Sequence, residues 1–246
     1  MPDNAQSHPT GPRGATGFGA APLAQTRAAA AAMRRLTGLL LSQEQPHAAA
    51  DEMLTKFAEW ERELTLSAPR DSAPRLGDAG ADTQRIYLDH AFDVGAFNPC
   101  FPEYRFDLLE DDSAGGSVTF GLPYAGPPGL VHGGFLAVFV DCVVQHQNCA
   151  RGPAGKTRSL TMTYRRPTPL GVELRFEIDR SVGERDIEST VRLMHADAVV
   201  CSGTVAAVAL PTSALPGAGH APRRTVDVAD QPPAQAISSP RGSNGE

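Results

Sequence analysis

Residues 135–144, FLAVFVDCVV, restrict the fold more than any other segment, because they are apolar at every position except Asp141. In a helix these side chains point in all directions, so the helix has no polar face to turn toward water. Such a helix must be enclosed by other parts of the protein. We therefore predict a central buried helix and expect the remaining segments to wrap around it.

Alternating apolar and polar side chains on both sides of this segment predict β-strands. The alternation is clearest at 172–179 (VELRFEID) and recurs at 159–164 and 187–193, whereas 198–210 is apolar on both faces. Before the central segment, apolar residues alternate with small or polar ones at 118–122. At least one strand thus precedes the helix and four follow it. An antiparallel sheet wrapped around a central helix is the hotdog fold, of the α+β class, and it is the predicted architecture.

The N-terminal part of the chain predicts two amphipathic helices, at 24–41 and 47–66. The first is rich in Ala and Leu, and the second places large apolar residues at steps of four, three and four, at Met53, Phe57, Trp60 and Leu64. Pro46 lies between them and suits a turn, because proline is tolerated only in the first turn of a helix. We predict an N-terminal helical hairpin at 24–66.

Both ends of the chain are rich in Pro, Gly, Ala and Ser and have almost no large apolar side chains to bury. We therefore predict disordered tails at 1–23 and 211–246. By composition, residues 67–81 are a linker. The hotdog domain then occupies residues 82–210.

Charge and cysteine content exclude several classes of protein. The formal net charge of −6 and the pI near 5.6 provide no basic face for a nucleic acid. No stretch reaches the ~20 apolar residues of a membrane span, and the start lacks the apolar core of a signal peptide. We expect a cytoplasmic protein. Four irregularly spaced cysteines predict neither a disulfide framework nor a metal site.

Asp141 is the most informative residue in the central helix. An unpaired carboxylate among apolar side chains costs several kcal/mol unless hydrogen bonds or charges offset the loss of hydration. A helix with only a structural role would gain from replacing it. We therefore predict a functional site at Asp141. The structural alternative is a carboxylate that caps a neighbouring segment or faces a solvent gap.

The approach to this helix, GPPGLVHGG, ends in two residues without side chains, Gly133 and Gly134. The first N–H groups of a helix lack partners within it. Together with the helix dipole they can stabilise a developing oxyanion, and glycine lets a carbonyl group approach closely. An ordinary glycine-rich turn is the alternative interpretation.

Two motifs together carry a family resemblance. They are GPPGLVHGGFLAVFVD, in which Asp141 follows His132 by nine residues, and TRSLTMTYRRPTPLG, which begins at Thr157. Over about residues 85–210 the chain resembles hotdog acyl-coenzyme A thioesterases of the phenylacetic-acid-degradation type.

The resemblance implies a role for each matching residue. Asp141 is the general base for a water molecule, or the nucleophile, and the N–H of Gly134, next to Gly133, polarises the thioester carbonyl. His132 shapes the thioester pocket and Thr157 orients the water. Backbone bonding in a loop would also explain His132, and the start of a strand would explain Thr157.

The resemblance also implies a site shared between two subunits, and hence a homodimer or a dimer of dimers. Asn98, in FNPCFPEY, is expected to line the pocket, and Arg165 and Arg166 are candidates to bind the phosphates of coenzyme A. A turn asparagine and a solvated strand end explain the same residues equally well. Coenzyme A enters only as part of the substrate, and no other cofactor and no metal are expected.

Three polar residues after Asp141, namely Gln145, His146 and Asn148, are candidates to contact the acyl chain, and would favour a short or functionalised one. They are also explained by contact with a second subunit or with solvent.

The predicted function is hydrolysis of an acyl thioester of coenzyme A or of an acyl-carrier protein. Two alternatives stay open. One is a non-catalytic thioester binder or scaffold that acts through the N-terminal helices. The other is a hydratase or dehydratase, although the His-Phe-Pro-Gly approach of the fatty-acid dehydratases is missing.

Overall fold

The computed structural model describes residues 24–67 and 93–209. The tails predicted at 1–23 and 211–246 lie outside these ranges, as does the predicted linker 67–81 beyond its first residue. The helices and strands are α1 (Ala24–Leu41), α2 (Ala48–Ser67), α3 (Val94–Phe97), β1 (Tyr104–Leu109), β2 (Ser113–Thr119), α4 (Gly133–Arg151), β3 (Thr157–Tyr164), β4 (Glu173–Val182), β5 (Asp186–His195) and β6 (Ala198–Val208), with a 3-10 turn at Leu122–Tyr124.

Six antiparallel strands form one sheet in the order β1-β2-β4-β5-β6-β3. The long helix α4 connects β2 to β3. β3 lies at the opposite edge of the sheet from β1, and among the described strands it pairs only with β6. Of the described strands, two precede the helix and four follow it. The predicted hotdog fold is confirmed.

The core lies between α4 and the inner face of the sheet. Phe139 is fully buried at its centre, and its ring centroid lies 5.4 Å from that of Phe120 and 5.5 Å from that of Phe176. Each side chain of this size contributes about 1.5–3 kcal/mol when it leaves water. The residues of α4 that are buried with Phe139 are Leu136, Val140, Val143, Val144, Gln147 and Asn148.

One face of α4 is open, which differs from the predicted complete enclosure. Phe135 and Val138 keep 37% and 51% of their surface exposed, and Asp141 is half-buried. Exposed apolar side chains of this size, next to a carboxylate, mark a surface suited to contact with another molecule.

The strand predicted at 118–122 is displaced toward the N-terminus, because β2 ends at Thr119 and Leu122 begins the 3-10 turn. Gly115 and Gly116 lie inside β2. A Cβ atom at Gly116 would overlap the backbone carbonyl of Arg105 on β1, so only glycine fits there.

Both predicted N-terminal helices are present, although only α1 is anchored to the hotdog body. It packs on α3 and the 3-10 turn, and Arg34 donates to the carbonyl of Asn98 at 2.9 Å. In contrast, α2 has no buried residue, and Phe57 and Trp60 remain 41% and 50% exposed. None of the described helices is long and apolar enough to cross a membrane.

A buried guanidinium holds the far end of α4. Arg180 on β4 is 6% exposed. It donates to Asn148 Oδ1 and to the carbonyl of Asp111, each at 2.7 Å. It also donates to the carbonyls of Gly152 and Pro153 at 3.2 and 2.9 Å. One side chain thereby satisfies the end of α4 and the loops around it.

We expect Arg180→Met to lower the free energy of unfolding by about 2–4 kcal/mol, because four acceptors lose a charged donor in a buried place. Chemical denaturation would measure this loss. The matched control is Arg192→Met. Arg192 lies half-exposed on β5, where its pairs with Glu177 and Asp179 are worth at most about 1 kcal/mol. Equal losses for the two variants would contradict this assignment.

Candidate active site

Three side chains form a chain of hydrogen bonds where α4 meets the start of β3. Thr157 Oγ1 donates to Asp141 Oδ1 at 2.6 Å, and Gln145 Nε2 donates to Thr157 Oγ1 at 2.7 Å. Asp141 and Gln145 are four residues apart, so they share one face of the helix. The structure thus brings together two residues that the sequence proposed as catalytic, and joins to them one that it proposed only for acyl contact.

His132 is the N-cap of α4. Its Nδ1 accepts a hydrogen bond from the N–H of Gly134 at 3.0 Å, which is the usual way to satisfy the first turn of a helix. The expected free N–H at Gly134 is therefore already bonded in this conformation. This contact is a form of the backbone bonding that was the alternative explanation for His132.

Gly133 begins the helix, and its N–H makes no hydrogen bond with any other described residue. Its carbonyl accepts from the hydroxyl of Tyr164 at 2.9 Å. A Cβ atom at Gly133 would lie 3.2 Å from the Tyr164 ring, so the ring covers the position where a side chain would stand. The sequence did not single out Tyr164 for this contact.

The two ends of this arrangement are far apart within one chain. Eight residues separate Gly133 from Asp141 along α4, and a rise of 1.5 Å per residue places their backbones about 12 Å apart. A carbonyl group bound at the helix start lies beyond the reach of the carboxylate of the same helix.

The strand next to this face is an open edge. Within residues 24–67 and 93–209, β3 pairs only with β6, and most of its residues are exposed. An edge strand of eight residues presents unpaired N–H and C=O groups to which another strand can bond.

The remaining predicted site residues, Asn98, Arg165 and Arg166, form no hydrogen bond with Asp141, Thr157 or Gln145 within the described residues. Asn98 is the C-cap of α3, and its Oδ1 accepts from the N–H of Cys100 at 2.9 Å, as in a turn. The backbone N–H groups of Arg165 and Arg166 both bond to the carbonyl of Val200 just after β3. Both side chains are exposed and form no ion pair with another described residue.

Two of the three polar residues proposed for acyl contact turn toward the core. His146 Nδ1 lies 2.8 Å from the hydroxyl of Tyr104, and its ring packs edge-on against Phe106. Burial lowers the pKa of His146 to about 4, so the ring is neutral at pH 7. Asn148 is fully buried and bonded to Arg180. Both residues are thus bonded to protein groups in the described structure, and their contact with an acyl chain stays a prediction.

Within the described residues, no three His, Cys, Asp or Glu side chains cluster as metal ligands would. The four cysteines are free thiols. Cys201 is buried, Cys142 and Cys149 are half-buried and Cys100 is exposed.

Comparison of this structure with solved structures gives a match along most of the chain. A thioesterase superfamily protein is 29% identical, with a TM-score of 0.62, over 79% of this chain and 100% of that protein. The resemblance to hotdog thioesterases is confirmed.

Other hotdog thioesterase matches cover less than half of the chain. A thioesterase protein from Streptococcus pneumoniae, solved with coenzyme A, is 17% identical over 44% of this chain and 87% of that one, with a TM-score of 0.42. A phenylacetic acid degradation-related protein from Ralstonia eutropha is 22% identical over 44% and 83%, with a TM-score of 0.39. No family model matches the sequence, and no curated protein matches it.

The buried His146 predicts a pH-dependent stability. An unfolded histidine has a pKa near 6.5, whereas burial lowers the pKa of His146 to about 4. Between these values the unfolded chain binds a proton that the folded chain excludes. We expect the free energy of unfolding to fall by up to about 3 kcal/mol as the pH drops from about 6.5 to 4.

Denaturation at a series of pH values would measure this change. His146→Gln is the control, because its amide oxygen can still accept from Tyr104 but does not titrate. The variant should lose less stability than the wild type over this range. The same loss in both proteins would contradict the prediction.

Proposed function

We propose that this protein hydrolyses acyl-coenzyme A thioesters, with Asp141 as the reacting carboxylate. The observation that carries the proposal is the hydrogen-bonded Asp141 on the open face of an otherwise buried helix. A carboxylate that is fixed by a hydroxyl but still accessible has the properties of a general base or nucleophile. The match at 29% identity to a thioesterase superfamily protein supports the same reaction class.

The reaction needs a donor for the oxyanion, and we propose the N–H of Gly133 for this role. The resemblance pointed first to Gly134, but that N–H is bonded to His132. Gly133 is adjacent and its N–H has no partner among the described residues. A backbone donor at a helix start is aided by the helix dipole, and one such donor is worth about 10²–10³ in kcat. His132 then acts indirectly, since its capping bond fixes the first turn.

In the proposed mechanism, the thioester carbonyl accepts a hydrogen bond from Gly133 while Asp141 removes a proton from water. The resulting hydroxide attacks the carbonyl carbon, and the negative charge moves to the carbonyl oxygen. When this tetrahedral intermediate collapses, the carbon–sulfur bond breaks. The leaving thiolate takes the proton from Asp141, which restores the carboxylate. Direct attack by Asp141 would instead give a mixed anhydride that water then cleaves.

We further propose that two copies of the chain form each site, with Gly133 from one and Asp141 from the other. The separation of about 12 Å along one helix supports this arrangement. The exposed side chains of Phe135 and Val138 and the open edge of β3 provide a surface on which a second copy could pack. A symmetric dimer would then contain two equivalent sites.

Arg165 and Arg166 are proposed to bind the phosphates of coenzyme A. Both are exposed at the end of β3, and guanidinium groups bind phosphate oxygens in pairs. Asn98 remains a weaker proposal for the pocket, because its side chain already serves a turn. Choice of coenzyme A over a carrier protein, and the cytoplasmic location, also remain predictions.

The direct test is thiol release from short, long, aromatic and hydroxylated acyl-coenzyme A substrates. We expect Asp141→Asn to lower kcat at least about 10²-fold, because the amide cannot accept the proton from water. The control is Asp197→Asn in the exposed β5–β6 turn, which should retain full activity. Full hydrolysis by Asp141→Asn would exclude the proposed role.

Two substitutions at Gly133 distinguish the effect of its N–H from the effect of an added side chain. Gly133→Pro removes the N–H but suits the first position of a helix, whereas Gly133→Ala keeps the N–H and adds a similar Cβ atom. We expect Gly133→Pro to lower kcat about 10²–10³-fold relative to Gly133→Ala. Equal activity of the two variants would exclude Gly133 as the oxyanion donor.

Mixing the two inactive variants tests the shared site. A dimer with one Asp141→Asn subunit and one Gly133→Pro subunit keeps one intact site. Statistical exchange of subunits should therefore recover about a quarter of the wild-type activity. No recovery, once exchange is verified by mass spectrometry, would contradict a site formed by two copies.

A further inference from the structure

We propose that Gln145 is a positioning residue for the Asp141 carboxylate and that it acts through Thr157. This inference rests on the proposed function and extends it to a residue whose role the resemblance did not supply. The observation is the continuous path of two short hydrogen bonds, 2.7 Å from Gln145 to Thr157 and 2.6 Å from Thr157 to Asp141.

The direction of both bonds follows from the number of protons available. Asp141 as a carboxylate only accepts, and the Thr157 hydroxyl has a single proton. If the amide oxygen of Gln145 faced Thr157, two acceptors would compete for that proton and one contact would be repulsive. The amide N–H must therefore face Thr157, and the hydroxyl proton must point to Asp141.

Gln145 thus adds something that Thr157 alone lacks. A free threonine hydroxyl rotates among several positions, but a donor on its oxygen leaves it one favourable direction. Bonds in such a chain also polarise each other, so the Thr157 hydroxyl becomes a stronger donor. The position of Asp141 Oδ1 is fixed as a result.

The same bonds assign different roles to the two carboxylate oxygens. Oδ1 is held by Thr157, while Oδ2 makes no hydrogen bond with any other described residue. Oδ2 is therefore the oxygen that is available to water or substrate. Thr157 has no proton left to donate, so it can only accept from a water molecule. Its main role becomes the orientation of Asp141 rather than the direct orientation of water.

The kinetic test is a double-mutant cycle with Gln145→Leu and Thr157→Val. Gln145→Leu alone should lower kcat about tenfold, the effect of one lost hydrogen bond, with KM nearly unchanged. In the Thr157→Val background the same substitution should have almost no further effect, because its route to Asp141 is already absent. A merely structural role would lower activity in both backgrounds.

The control is Gln147→Leu, which makes the same change two residues along α4. The amide of Gln147 donates to the carbonyl of Glu110, away from Asp141, at 3.0 Å. This variant should lose stability and keep its kcat. An unchanged kcat in Gln145→Leu, or losses that multiply in the double variant, would overturn the proposal.

Chemical denaturation of the wild type, the two single variants Gln145→Leu and Thr157→Val, and the double variant tests this inference independently of the proposed function. The denaturant concentration at the unfolding midpoint should fall less in the double variant than the sum of the decreases in the two single variants. This holds whether or not a substrate is turned over. If the wild type hydrolyses no acyl-coenzyme A but the midpoints still show coupling, thioester hydrolysis is contradicted. The hydrogen-bonded path from Gln145 through Thr157 to Asp141 is then still supported. Additive midpoint losses would overturn the coupling itself.

Discussion

The packing of α4 against the inner face of the sheet is the interaction on which the rest of the structure depends. Phe139 and the other buried residues of this helix fill the core, so the helix cannot rotate or slide without opening cavities. That constraint fixes the open face as well. The open face carries Phe135, Val138, Asp141 and Gln145, and the packing of the core therefore sets the position of every polar group there.

Polar groups at the two ends of α4 are satisfied in different ways. At its C-terminal end the buried Arg180 binds four acceptors, which leaves that end closed. At its N-terminal end His132 satisfies the N–H of Gly134 while that of Gly133 stays without a partner in the described chain. The contrast is physical support for a site at the helix start, because an unsatisfied donor is tolerated only where water or a ligand can reach it.

The sequence predicted the fold because its strongest signals are local. The apolar run at 135–144 and the alternation in 172–179 each specify an element without knowledge of the rest. The strand at 118–122 was displaced because alternation cannot reveal that Gly116 is needed inside β2, where the backbone of β1 comes close. The open face of α4 was missed for a similar reason, since an apolar run does not say which of its residues the rest of the chain covers.

The site was predicted in part. Asp141 and Thr157 were named, and the structure joins them through a hydrogen bond. Tyr164 and Arg180 were not identified, because their contacts involve residues far along the chain and no spacing records them. His146 was assigned to the acyl chain although it packs on Tyr104, since a helical period gives the direction of a side chain but not its neighbour.

One strand is fastened to the helix at both of its ends. Thr157 at the start of β3 holds Asp141, and Tyr164 at its end holds the carbonyl of Gly133. β3 therefore holds both ends of the open face of α4 in place. Its other edge pairs with no described strand. Because both hydrogen bonds start from this one strand, a displacement of β3 would move Asp141 and the Gly133 carbonyl together.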